Sequence, residues 1–173
     1  LNERGLLRKG ATSHWLAGPL TARVLREKFE LRSIMEPAAL RLAADYIDPV
    51  QIAAIRARID QGDALDTAEL EGAFMRHCLG RARNGALVEI IASNRLLLSS
   101  MDKALIDLGL PVDVVALDQY RTLFDLIGLR QVDAATEYLK EHLRILSLKS
   151  LARLKIVALI PESESIPRYL VKV

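Results

Sequence analysis

Cysteine is almost missing from this sequence. The single Cys78 excludes an internal disulfide and points to a reducing, cytoplasmic setting. Long apolar runs are missing too: none reaches the roughly 18 residues that a membrane helix needs, so no membrane partner is expected. Aromatic residues make up only 5% of the chain. No repeat, low-complexity segment or convincing set of strands appears.

What is present is Leu, Ala and Ile in quantity, within an apolar fraction of 51% and a charged fraction of 27%. Leu and Ala are strong helix formers, and the composition is that of an ordinary globular chain. With 173 residues it can bury a core without disulfides or a structural metal. The formal charge of +2 is uneven: residues 1–30 carry +3 and residues 140–173 carry +4, leaving −5 for the middle. A basic fringe around an acidic body suits either a solvated mixed surface or proximity to phosphates. The chain begins at Leu1 rather than Met, which reads as part of a longer protein.

Periodicity predicts an all-α fold, an antiparallel bundle of about six helices with short connections. The first starts near Thr21, with Leu25, Phe29, Ile34, Ala38, Leu40 and Ala43 near one face. Pro37 should kink or restart it, because proline lacks an N–H and crowds the preceding turn. Asp48 can cap a second helix with Pro49 at its first position, ending near Gln61. Asp66 or Thr67 can cap a third that runs to about Ala82, where Asn84 and Gly85 interrupt. A fourth covers Ala86 to Leu108, a fifth Val112 to Leu129, and a sixth Val132 to beyond Leu154. Before the bundle, Lys9 to His14 reads as a turn and Trp15 to Pro19 as an extended piece. After it, Pro161 and Pro167 mark an irregular tail. The expected division is 1–19, 20–155 and 156–173.

No catalytic pattern stands out. Glu-x-x-His pairs for a di-iron bundle, a phosphate-binding glycine loop and a Ser–His–Asp signature are all missing, and Cys78 has no His at a family spacing. The expectation is that the chain is not an enzyme.

Three stretches together carry a resemblance. The first is Glu30-Leu31-Arg32, then Glu36-Pro37, followed by Leu40-Arg41-Leu42-Ala43-Ala44. The second is Glu71-Gly72-Ala73-Phe74-Met75, then Asn84-Gly85-Ala86-Leu87. The third is Gln119-Tyr120-Arg121-Thr122-Leu123, then His142-Leu143. In order and spacing these resemble the FadR-type C-terminal (FCD) domain of the GntR superfamily. Leu1 to Arg8 resembles the end of a winged helix-turn-helix, and Gly10 to Ala17 its wing.

The resemblance implies a homodimeric, ligand-responsive transcription regulator. This chain would be its effector-binding and dimerisation domain, joined to DNA through a largely missing N-terminal domain. The alternative is a TetR-like or other helical sensor or adaptor with no DNA-binding role of its own.

In the family a carboxylate and three imidazoles hold a divalent metal, a donor set that suits zinc or nickel. Here Glu71 stands for the carboxylate, Met75 and Tyr120 replace two imidazoles, and His142 keeps the third. A thioether and a neutral phenol are poor zinc ligands, so no metal cofactor is expected; Glu71 and His142 are the only candidates for holding one. His77 lies six residues beyond Glu71 and faces elsewhere on the helix.

Glu71, Met75, Tyr120 and His142 are therefore expected to converge on one central space as an effector site. Tyr120 and His142 lie at similar distances on either side of the turn near residue 130. Each has a plainer reading as well: Met75 as core filler, Tyr120 as a buried ring, His142 as a hydrogen-bonded core residue. Arg32 with Glu36 is either a surface i,i+4 ion pair or a fork facing the pocket. Arg95 has the same two readings.

Overall fold

The computed structural model describes residues 7–9, 15–17, 21–61, 67–107 and 116–159. Two three-residue strands, β1 (Leu7–Lys9) and β2 (Trp15–Ala17), pair antiparallel with Arg8 opposite Leu16. Among the described residues six α-helices follow, α1 (Ala22–Ala43), α2 (Pro49–Asp60), α3 (Thr67–His77), α4 (Gly85–Asp107), α5 (Ala116–Gly128) and α6 (Val132–Leu159), with short 3-10 turns at Ala44–Tyr46 and Leu79–Arg81. The all-helical bundle expected from periodicity is the fold. Lys9 belongs to β1 rather than to a turn, and α6 continues to Leu159, past the expected boundary at 155. The expected turn at 10–14, the caps at 66 and 67, and the tail from 160 lie outside the residues whose side chains are described.

Local chemistry starts and stops these helices. The Thr21 hydroxyl accepts a hydrogen bond from the Val24 N–H at 3.2 Å, satisfying one of the free donors of α1. Asp48 does the same for the Val50 N–H at 2.9 Å, with Pro49 at the first helical position. Asn84 caps α4 through the Leu87 N–H at 3.1 Å. Between α5 and α6 the Gln131 N–H bonds the Leu126 carbonyl at 2.9 Å, and the Arg130 N–H bonds that of Ile127 at 3.0 Å. That pair is a Schellman closure, with Arg130 at φ 57° in the left-handed position where glycine is usual. The Arg130 guanidinium also donates to the Ala44 carbonyl, tying this turn to the end of α1.

The inward face of α1 differs from the apolar stripe expected. Ile34 and Ala38 are exposed. The buried positions are Leu25, Phe29, Arg32, Glu36, Pro37, Ala39, Leu40 and Ala43. Among them Leu25, Phe29, Arg32, Glu36, Ala39 and Ala43 alternate four and three residues apart, a regular core-facing seam with two charged residues inside it. Pro37 lies within α1 and does not break it. The loss of one backbone hydrogen bond is tolerated because Glu36, Ala39 and Leu40 anchor the helix on both sides of it.

The long helices α1 and α6 pack along each other, α2 packs on α5, and α5 on α6. At the centre Phe74, Tyr120 and Phe124 form a triangle with ring centroids 6.2 Å apart on every side. Ile52, Ile59, Leu70, Leu79, Leu123, Leu139 and Leu143 close around it.

Phe74 is fully buried, so Phe74→Ala should cost about 3–5 kcal/mol in urea unfolding. At Gly85 an added Cβ meets nothing within 4 Å. Gly85→Ala should therefore stabilise by about 0.4–1 kcal/mol, through reduced freedom of the unfolded chain.

Candidate functional site

The centre of the bundle holds a charge. Glu36, on α1, has no solvent exposure, and both its oxygens are held by guanidinium groups. Arg32, one turn earlier, donates from Nε to Oε1 at 2.6 Å. Arg95, on α4, donates from Nε to Oε1 at 2.9 Å and from Nη2 to Oε2 at 2.8 Å. This second pairing is a parallel two-bond fork, the strongest geometry available to arginine and carboxylate. Burial alone would push the Glu36 carboxyl up; the charges of Arg32 and Arg95 and their hydrogen bonds override it and hold it at about 2. Burial likewise opposes the charge on Arg95, and Glu36 reverses the effect, so its guanidinium is raised above its ordinary value.

Both arginines are thus core residues, and the surface ion pair between Arg32 and Glu36 is corrected to a buried one. Arg95 does form a fork, but on Glu36 of its own chain, so the fork facing the pocket is not what the structure shows. Each guanidinium also lies over a ring, Arg32 over Phe29 at 5.4 Å and Arg95 over Phe74 at 5.6 Å.

Around this triad the structure gathers most of the expected site residues. Glu71, on α3, places Oε1 4.0 Å from Arg32 Nη2, and its backbone carbonyl accepts from Arg95 Nη1 at 3.4 Å. Tyr120, on α5, is 1% exposed and contacts the His142 ring edge-on, with centroids 5.2 Å apart. Equal depth on antiparallel helices does bring these two together. His142, on α6, bonds through Nδ1 to Gln119 Oε1 at 2.8 Å. Met75 packs against the hydrophobic core from a partly buried position and has no polar role. Among the described residues six buried side-chain polar atoms make no hydrogen bond within the chain; Arg32 Nη2, Tyr120 Oη and His142 Nε2 are three of them, and Arg32 Nη2 keeps its ion pair with Glu71.

The electrostatics keep both rings neutral at pH 7. Burial, then the charges of Arg32 and Arg95, push the His142 imidazole down to about 4 against the pull of Glu36. Burial and the Glu71 charge raise the Tyr120 hydroxyl well above its ordinary range. Cys78, also buried, is pushed up to about 12 and stays a thiol. A small apolar recess beneath the Arg130 turn, lined by Leu40, Ile47, Ile127 and Val132, shares no residue with this cluster.

A metal fits these residues poorly. The donor set is one imidazole nitrogen and one carboxylate, with a guanidinium 4.0 Å from that carboxylate. Burial first, then the charges of Arg32 and Arg95, lower the imidazole's affinity for a proton against the pull of Glu36, and Arg32, beside the Glu71 carboxylate, would face any cation held there. Among the described residues no group of three His, Cys, Asp or Glu could hold an ion.

The model of the FCD domain family matches residues 27–145, over two thirds of the chain. The chain belongs to the FCD domain family. No curated protein sequence matches it. A solved structure from Pseudomonas syringae pv. tomato, described as a transcriptional regulator and GntR family member, shares the fold. Its TM-score is 0.61 at 21% identity, covering 90% of this chain and 67% of that one. Among the described residues no helix of this FCD domain is long and apolar enough to cross a membrane.

Sequence reasoning did not assign Glu36 or Gln119 to the site. The signal for Glu36 was the four-three spacing of Leu25, Phe29, Arg32, Glu36, Ala39 and Ala43, which a search for apolar residues steps over. Nothing in the sequence distinguishes Gln119, whose role depends on how α5 meets α6.

Glu36→Gln leaves two guanidinium groups facing an uncharged amide, and should cost about 3–5 kcal/mol of stability. Acid should destabilise the FCD domain in two stages. His142 is held neutral in the fold, so between about pH 6.5 and 4 the unfolded chain binds the extra proton and stability falls as pH falls. Glu36 adds a second loss, between about pH 4.5 and 2. Urea titrations at pH 7, 5 and 4 should show the first stage, worth at most about 3 kcal/mol. In His142→Gln that stage should flatten.

Proposed function

We propose that this FCD domain is the effector-binding and dimerisation part of a GntR-type transcription regulator, not an enzyme. The carrying observation is the FCD match over a bundle whose centre is polar: Arg32, Glu36, Arg95, Tyr120 and His142 are buried there, and Tyr120 Oη and His142 Nε2 make no hydrogen bond within the chain. Buried polar groups need partners, and a small molecule entering between α1, α5 and α6 would supply them. The site residues are Arg32, Glu36, Glu71, Arg95, Tyr120 and His142, with Met75 as packing beside them. No metal takes part. The FCD match favours this reading over a TetR-like sensor or an adaptor.

The regulatory step is differential binding. An effector that prefers one arrangement of the bundle shifts the population of dimers whose DNA-binding heads are correctly spaced. The triad of Arg32, Glu36 and Arg95 links α1 to α4, and Arg95 links α4 to α3, so a ligand drawing on Arg32 would act on three helices at once. Such a regulator works in the cytoplasm, where its DNA is.

Two measurements test the proposal. Light scattering should give a homodimer, and the full reading frame should bind DNA from its own promoter region with a steep salt dependence. A strict monomer at tens of micromolar, or no preference for that DNA, would overturn it. Elemental analysis of protein purified without chelator should find no stoichiometric zinc or nickel; a full equivalent that is lost in His142→Ala would sink the metal-free assignment.

A further inference from the structure

We infer that a second copy of this chain docks on the outer face of α1, with the two α1 helices running antiparallel about a two-fold axis at Ile34. The inference rests on the dimerisation in the reading above and names the surface that carries it.

The inward seam of α1, from Leu25 to Ala43, is used up by its own bundle. The opposite face is not. Ile34 stands there at 64% exposure. Ala38, one turn on, is exposed and small enough to let another helix come close. Val24, Leu31, Ala38 and Leu42 form an apolar row along one side of this line, each half-buried or exposed. Exposed apolar residues are common on proteins, so apolarity alone does not choose a partner. The order of charges does.

Seven residues turn an α-helix by about 700° and eleven by about 1100°, both within about 20° of whole turns. The residues seven and eleven positions either side of Ile34 therefore share its line. They are Arg23 and Glu27 before it, Arg41 and Asp45 after it, and all four are exposed. Asp45 sits in the 3-10 turn that continues α1. Along the line the order is positive, negative, isoleucine, positive, negative.

An antiparallel copy reverses that order. With Ile34 against Ile34 of the copy, Glu27 meets Arg41 at about 10.5 Å from the axis and Arg23 meets Asp45 at about 16.5 Å. A two-fold axis repeats each meeting, so four opposite-charge pairs frame the apolar centre. A parallel pairing would set each charge against its own copy, and like charges across an interface are penalised. Two of these groups also hold a bond within the chain, Arg23 to Glu27 at 2.8 Å and Arg41 to Asp133 at 3.1 Å. A guanidinium has five donors, which leaves each arginine able to take a second carboxylate. An unrelated partner would need the mirrored order by chance; a copy carries it by symmetry.

The dimer dissociation constant is measured at pH 7 by sedimentation equilibrium for the chain and its variants, with circular dichroism to confirm that each keeps its helices. Ile34→Lys places two like charges at the axis and should weaken the dimer at least about hundredfold. Leu148→Lys, an exposed change on α6, should leave it unaltered. Glu27→Arg and Arg41→Glu should each weaken their own homodimer by about tenfold, since exposed ion pairs are individually small. Mixed in equal amounts, the two variants should return to within about threefold of the unaltered chain, because the two reversed charges then face each other across the axis. A dimer that survives Ile34→Lys, or one lost in Leu148→Lys, would overturn this face and leave the dimerisation reading standing. So would a mixture no tighter than either variant alone. A monomer for the unaltered chain at tens of micromolar would end that reading and this inference together.

Discussion

The buried carboxylate of Glu36 is the constraint on which the rest of this bundle depends. An isolated carboxylate at zero exposure would be protonated or would unfold the helix that carries it. Arg32 and Arg95 prevent both by occupying its two oxygens. Arg95 can do so only if α4 lies against α1 in one register, and its remaining Nη1 contact fixes α3 through the Glu71 carbonyl. Apolar contacts around Phe74, Tyr120 and Phe124 tolerate small slips; a two-bond fork with no water to replace it does not.

This arrangement also sets the chemistry of the centre. Burial, with two guanidinium groups beside it, keeps the His142 imidazole neutral. The cost of such a centre is that removing any one partner strands a charge.

Much of the fold was legible in the sequence because helices are specified locally. The start near Thr21, the cap at Asp48 with proline after it and the break at Asn84 and Gly85 follow from the chemistry of a few adjacent residues. The errors have equally local causes. Pro37 was expected to interrupt α1, but packing on either side outweighs one missing hydrogen bond. Ile34 and Ala38 were expected to face inward because they are apolar, whereas the core positions are the charged Arg32 and Glu36. A hydrophobic pattern does not register a core built from a compensated charge.

By itself the sequence determined the helical bundle, the family resemblance and the placing of Tyr120 and His142 at matching depth, since these depend on spacing along the chain. Only the tertiary structure decided that Arg95 reaches Glu36 from 59 residues away. Only it decided that Gln119 meets the Nδ1 of His142 and that Glu71 lies beside Arg32. Those facts depend on how helices distant in sequence face one another. Short-range hydrogen bonds and ion pairs discriminate at the scale of an ångström, and no periodicity in the sequence records distance at that scale.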